Sequence, residues 1–446
     1  MEVQHMHTLE PYDLVGVGFG PSNLSLAIAL AEAGEARLGN TLFLEQQPGF
    51  CWHGSMLLEG STMQISFLKD LVSLRNPRSR FSFINYLHEQ GRLSDFINLQ
   101  TFFPTRLEFN DYLRWSADKF ADNCRYNSRV TSVSPILEQG RVTELELSVE
   151  TPERPTTRIR ARNLVMGVGG RPNIPQAFAP HRDNDRVIHS SDYLRRMDEI
   201  IRQNRPLRRV AVIGAGQSAA EIFHDLGNRF GHLELSLISR CRSMKPSDDS
   251  PFVNEIFNPE YTDYLYDRQD SQRQSLMEEY RNTNYSVVDM PLLETLFQWR
   301  YQQQITGETR LSFMFDTRVE QVEARDNGLQ LALSSGESTA MQTLDVDLVI
   351  LATGYRRDGA TRMLEAIQPY LATQDGTPQV TRQYELQTDD RFEPRIYLQG
   401  ACERSHGLSD TLLSVLPTRA QEIAQSLAAG SQSPAAHKPI NARISA

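Results

Sequence analysis

The chain has 446 residues, and its 46 Lys and Arg against 56 Asp and Glu leave a formal net charge of −10. That length suggests roughly three domains of about 150 residues, and the acidity argues against nucleic acid as a partner. Four separated cysteines (Cys51, Cys124, Cys241, Cys402) form no CxxC and no zinc-type spacing with His, so neither a disulfide framework nor a metal is expected, and reduced cytoplasm is the natural compartment.

In chain order, residues 1–11 have no apolar period and read as a loose end, with nothing like a signal peptide. No run of about 18 apolar residues follows anywhere, so no membrane span is expected. Residues 12–17 (YDLVGV) form a short buried-strand pattern running into glycines, 24–31 a helix apolar nearly all round, and 41–45 (TLFLE) a second strand. Strand, turn, helix and strand at this spacing make a parallel βαβ unit. An amphipathic helix follows (Phe109, Tyr112, Leu113, Phe120), then alternating strands around 142–149 and 156–160, then a strand at 163–168 that ends in the turn Gly169-Gly170-Arg171-Pro172.

The same grammar returns at 209–213 (RVAVI), with glycines, a helix carrying Ala219, Ile222, Phe223, Leu226 and Phe230 on one face, and a strand at 234–239. A polar region rich in Asn and Tyr spans 248–289, a helix 292–304, buried strands 347–352 and 395–399, and a closing helix 410–427. The expected fold is α/β, with two Rossmann-like dinucleotide-binding domains and a small, mainly helical substrate-binding insertion. The expected boundaries are 12–172 with 347–428 for the first domain, 173–247 with 306–346 for the second, 248–305 for the insertion, and 429–446 for a loose tail.

Gly16, Gly18 and Gly20 form the first turn: one glycine bends the chain, one admits a pyrophosphate to the backbone, and Pro21 suits a first helical position because it lacks an N–H. Glu45 ends the second strand, where a carboxylate accepts ribose hydroxyls and repels a 2′-phosphate, which suits FAD or NAD. The second turn, Gly214, Gly216 and Ala219, leads instead to Ser239-Arg240-Cys241-Arg242. Guanidinium groups without an acid at the ribose position fit a 2′-phosphate, so NADPH is expected there, and the pair together means FAD plus NADPH. Without a redox CxxC a disulfide reductase is excluded, which leaves oxygen or a quinone-like molecule as the electron acceptor.

Long stretches carry a resemblance as well: DLVGVGFGPSNL (13–24), MQISFLKDLVSLRNP (63–77), EFNDYLRW (108–115), GAGQSAAE (214–221), DDSPFVNE (248–255), NTNYSVVD (282–289), DLVILATGY (347–355) and HGLSDTLLSVLP (406–417). The chain resembles the N-hydroxylating flavin monooxygenases of siderophore biosynthesis, and within them the ornithine branch of the pyoverdine-pathway type, over nearly all of residues 12–425. The resemblance implies reduction of FAD by NADPH, capture of molecular oxygen as a C4a-hydroperoxyflavin, and hydroxylation of the terminal amine of L-ornithine. It places Glu45, Gln46, Trp52, His53 and Gln64 around the FAD, Val130 at the adenine, and Thr411, Leu412 and Leu413 beside the isoalloxazine. Gln217, Ser218 and Arg240 would contact NADPH. Lys69, Asn254, Asn284 and Ser414 would hold the amino acid, with Asn254 and Asn284 as the catalytic pair and Asn284 also touching NADP. A homotetramer is implied too.

Two competing readings remain at this level. Lysine or diamine N-hydroxylases share both nucleotide sites, although Lys69 argues for a substrate bearing a carboxylate. A non-catalytic FAD- and NADP-binding redox sensor would reuse the fold, but would have no use for the polar segment 248–289.

Overall fold

β1 (Leu14–Val17) is buried at all four positions and pairs in parallel with β2 (Thr41–Leu44) on one side and with Asn163–Met166 on the other. Such all-buried runs are what a parallel sheet covered on both faces requires. Cys124–Arg125 and Arg395–Leu398 complete this five-stranded sheet. α1 (Pro21–Glu32) starts on Pro21 and buries every residue from Asn23 to Leu30, so it packs on all sides. α2 (Arg106–Asp118) is capped by Thr105, whose side chain accepts from the Glu108 N–H, and puts Phe109, Tyr112 and Leu113 into an aromatic cluster beside the sheet. The computed structural model describes residues 10–34, 38–336 and 338–430; of the loose ends expected at 1–11 and 429–446, residues 1–9 and 431–446 lie outside the described residues, and 429–430 belong to the closing helix.

The second five-stranded parallel sheet is built on β3 (Arg209–Ile213), followed by α3 (Gln217–Arg229) and β4 (Glu234–Ile238). Its remaining strands are Leu311–Met314, Leu348–Leu351 and Val187–His189. Each sheet carries a three-stranded antiparallel annex, Arg129–Ala161 on the first and Thr317–Val346 on the second.

Three expectations need correction. Leu348–Leu351 pairs with β3 and with Val187–His189, so it belongs to the second sheet and not to a returning first domain at 347–428. A strand buried on both faces fits either sheet, and its pattern cannot tell them apart. The helix placed inside an insertion at 248–305 is α4 (Met290–Thr306), and it packs on α3: Trp299 stacks on His224 with ring centroids 4.9 Å apart and covers Gly227. β4 and Leu311–Met314 are parallel, and such a pair needs a crossover, which α4 supplies. The closing helix α5 (Leu416–Gly430) begins six residues later than the expected 410, after a single 3-10 turn, Leu408–Thr411.

The two crossings between the sheets lie side by side. Arg171–Pro172 pairs antiparallel with Tyr355–Arg356, and Arg171 forks onto both oxygens of Asp358 at 2.5 and 2.6 Å. Among the described residues no helix is long and apolar enough to cross a membrane, and no cluster of His, Cys, Asp and Glu is placed to hold a metal ion.

Candidate nucleotide and amino-acid site

The carboxyl ends of the strands in each sheet converge on a glycine turn, where open α/β sheets bind ligands. At the first turn, Gly18 has φ +81° and its N–H donates to the Leu44 carbonyl; a Cβ there would stand 2.6 Å from the Gly167 carbonyl oxygen. Gly20 has nothing within 4 Å of where a Cβ would be, so the cradle is open on the side a pyrophosphate needs, while a Cβ on Gly16 would strike Phe43. Glu45 is buried at the tip of β2: Oε2 accepts from the Phe19 N–H at 2.8 Å and Oε1 from the Gln47 N–H at 2.9 Å. The carboxylate thus braces the turn and keeps lone pairs for a ribose. Asn23 closes the turn from the helix side, donating to the Gly18 carbonyl at 2.7 Å.

The other expected flavin residues frame the same end of the sheet. His53 adopts a left-handed conformation (φ 52°), with its ring edge-on to Trp52 at 4.7 Å. Its surface is exposed, with protein gathered around it at the end of the first sheet. Enclosure, then the positive charges of Arg106 and Arg357, push its pKa down to about 4, so it is neutral near pH 7. The Trp52 N–H donates to Asn110 Oδ1 at 2.8 Å. Gln46 is exposed just beyond β2. The Val130 side chain is spent in the core, which leaves its main chain for a ligand, and the neighbouring Ser128 N–H donates to the Glu45 carbonyl. Thr411, Leu412 and Leu413 are half-buried, and Ser414 is buried with its Oγ unpartnered, as is the Gln399 Oε1 at the end of Arg395–Leu398. Orphaned polar atoms in a cleft are what a bound group would satisfy.

At the second turn, Gly214 has φ +154° and a Cβ would stand 2.4 Å from the Ala352 carbonyl oxygen. Gly216 caps α3, and Ser218 lies in its first turn, so backbone N–H groups point outward for a phosphate. Arg240 is exposed past the end of β4 with no ion-pair partner among the described residues, and Arg242 meets Asp316 only at 3.6 Å. Both turns therefore fit their nucleotides, the second the 2′-phosphorylated one.

Lys69 and the 3-10 turn Val253–Phe257 come together from different parts of the chain: the Lys69 Nζ lies 5.9 Å from the Phe257 ring centroid. Half-enclosed and without a carboxylate partner among the described residues, its ammonium is destabilised by desolvation and its pKa is lowered. Asn254 on that turn uses its amide N–H on the Asp249 carbonyl at 2.8 Å, leaving Oδ1 as an acceptor. Asn284 follows the turn Arg281–Thr283, and its neighbour Tyr285 donates to Glu403 while lying beside Thr411. The segment with Asn284 is thereby joined to the segment expected at the isoalloxazine.

Gln64 and Gln217 are placed otherwise than as free cofactor ligands. Gln64 Nε2 donates to Asp289 Oδ1 at 2.8 Å, and Gln217 is bonded at both ends of its amide to Asp289 and Glu221. Arg106, Glu221, Asp289, Tyr285 and Glu403 are site-forming residues that sequence reasoning missed. Each acts on a partner far along the chain, as with Arg106 and Glu221, 115 residues apart.

A protein with two dinucleotide cradles of opposite ribose chemistry, each at the carboxyl end of its own parallel sheet, is a two-nucleotide oxidoreductase of the flavoprotein kind. Comparison makes this specific. The profile described as L-lysine 6-monooxygenase/L-ornithine 5-monooxygenase matches residues 10–357, and the chain belongs to that family. It is 49% identical to the L-ornithine N(5)-monooxygenase of Burkholderia cepacia, over 89% of this chain and 90% of that one. The solved ornithine hydroxylase of Pseudomonas aeruginosa superposes with a TM-score of 0.90 at 46% identity, covering 95% of this chain and all of that one. The ornithine N-hydroxylase of Kutzneria sp. 744, solved with reduced FAD, NADP+ and L-ornithine, gives 0.88 at 38% identity over the same shares.

Proposed function

We propose that this chain hydroxylates the side-chain amine of L-ornithine to N5-hydroxyornithine with FAD, NADPH and molecular oxygen, as a step toward a hydroxamate siderophore. The observation that carries the substrate reading is Lys69, a half-enclosed ammonium without a carboxylate partner among the described residues, set against the turn that bears Asn254. A carboxylate at one end of the substrate and an amine at the other match that pair.

When bound, FAD reduced by NADPH supplies the activated oxygen. The residues do the rest. Lys69 fixes the α-carboxylate, and its unmet charge favours a substrate that brings one. The reacting amine must be neutral to have a free lone pair, which costs about 4 kcal/mol for a group of pKa about 10.4 at pH near 7.4. A carboxylate beside that nitrogen would raise the cost by stabilising the cation. Asn254 meets it with a neutral amide oxygen, which accepts an N–H without holding the extra proton. Asn284 and Ser414 complete the grip, and Tyr285, which donates to Glu403 and lies beside Thr411, ties the Asn284 segment to the 408–413 segment.

The deciding assay measures hydroxylated amine from ornithine, lysine, putrescine and cadaverine with NADPH and added FAD. Coupled product from ornithine alone is expected; equal turnover of the diamines overturns the role of Lys69. The homotetramer and the cytoplasmic setting belong to the same proposal, and light scattering at two protein concentrations tests the first.

A further inference from the structure

Five side chains form a continuous polar strut between the two nucleotide units. Arg106, at the start of α2, forks onto Glu221 of α3 at 2.8 and 2.7 Å, with the two side chains only 13% and 7% exposed. Gln217, one turn earlier on α3, donates to Glu221 Oε1 at 2.9 Å and to Asp289 Oδ2 at 3.1 Å, and its own Oε1 accepts from the Asp289 N–H at 2.8 Å. Asp289 Oδ1 accepts from Gln64, on the first unit, at 2.8 Å. A side-chain amide has two N–H donors, and both of Gln217's are taken by protein carboxylates. Its side chain is therefore committed to the strut, and what it offers a nucleotide is its place at the helix N-terminus.

The position of the strut gives it a function. α3 begins at the Gly214–Gly216 turn, and the segment leading to Asp289 lies against it: a Cβ on Gly216 would touch Ser286 at 3.6 Å. Arg106 also faces His53 in the cleft of the first unit. The middle of the strut thus abuts the second cradle, while both of its ends, Arg106 and Gln64, stand on the first unit. Hydride transfer between two bound rings depends on their separation and alignment, and small misplacements cost large factors in rate.

We propose that Asp289, with the Arg106–Glu221 pair beside it, is a positioning set that holds the two cradles in the register needed for hydride transfer. It acts through the groups it holds, not by chemistry of its own. This rests on the FAD and NADPH reading above, and the wild-type enzyme separates the two: if NADPH does not reduce its flavin at all, that reading fails and not the strut. Asp289→Asn and Glu221→Gln are compared with wild type by anaerobic stopped-flow reduction, after FAD content and thermal midpoint have been measured. At saturating NADPH the limiting reduction rate should fall about 10-fold or more, with the apparent Kd for NADPH within about 3-fold and dithionite reduction unchanged. NADPH carrying deuterium at the transferred position should give an altered isotope effect on that rate. FAD-loaded Asp289→Asn reduced at the wild-type rate, or a defect confined to Kd, overturns the proposal. Should Glu221→Gln fail to fold, Asp289→Asn carries the test, since Asp289 is only partly buried.

Discussion

Arg419 and Asp410 form an ion pair in the core: the guanidinium, 1% exposed, donates from Nη1 to Asp410 Oδ1 at 2.8 Å and to the Asp410 carbonyl at 2.6 Å. Nη2 reaches Ser22 Oγ at 3.0 Å, in the first turn of α1, and Asp410 Oδ2 accepts from the Cys402 N–H at 2.7 Å. One pair thus ties α5, the 408–413 segment and the helix that follows the first glycine turn.

Removing one member leaves the other charge buried and alone, which costs about 3–5 kcal/mol. Asp410→Ala should lower unfolding free energy by that order and release FAD more readily, measured by urea midpoint and by flavin retained after gel filtration. A loss under about 1 kcal/mol would mean that water reaches the pair and that it does not organise the cleft.

Lys69→Met keeps the stem and removes the charge. A charge-assisted hydrogen bond is worth about 1.5–3 kcal/mol, so KM for ornithine should rise about 10- to 100-fold while flavin reduction by NADPH keeps its rate. An unchanged KM would place the α-carboxylate elsewhere.

Arg240→Ala should raise the apparent Kd for NADPH by about 10-fold or more and leave that for NADH nearly unchanged, because only the 2′-phosphate distinguishes the two. Equal losses for both nucleotides would assign Arg240 to some other part of the ligand.

Both glycine turns were legible in the sequence because the constraint is local: Gly18 and Gly214 need positive φ and close backbone approach, and glycine alone tolerates them. The strand 348–351 was legible as a strand but not as a member of its sheet, since four buried residues say nothing of which neighbours cover them. α4 misled for a related reason. Phe297, Tyr301 and Ile305 are exposed on the face opposite Trp299 and Leu296, so apolar residues surround the helix and no face is marked as inward. Arg106, Glu221 and Asp289 were invisible, because an ordinary charged residue gains meaning only from a partner that folding brings in. Lys69 and Asn254 were named only through family resemblance; that Lys69 meets the turn bearing Asn254 is a product of the fold that chain order does not show.

His406 offers a test of the core by pH. It is fully buried, with its ring stacked on Tyr384 at 4.1 Å, Nε2 against the Arg382 carbonyl at 3.1 Å and Nδ1 against Ser405 Oγ at 2.8 Å. The charged groups facing it are Asp410, Arg382 and Arg419, and the Tyr266 ring lies at 5.3 Å. Burial pushes its pKa down to about 4 from an ordinary 6.5. Above pH 6.5 it is neutral folded or unfolded and contributes no pH dependence. As pH falls from 6.5 toward 4 the unfolded chain takes a proton the folded one refuses, so stability drops across that window, by at most about 3 kcal/mol at ~1.36 kcal/mol per unit. His406→Gln removes this titration, at the expense of the ring stack. The stability gap between wild type and variant, taken from urea unfolding at pH 7.5 and pH 5, should therefore narrow at the lower pH. A gap that stays constant would mean that the folded imidazole takes its proton as readily as the unfolded one, the Asp410 carboxylate offsetting burial, and a gap that widens would mean that the carboxylate prevails.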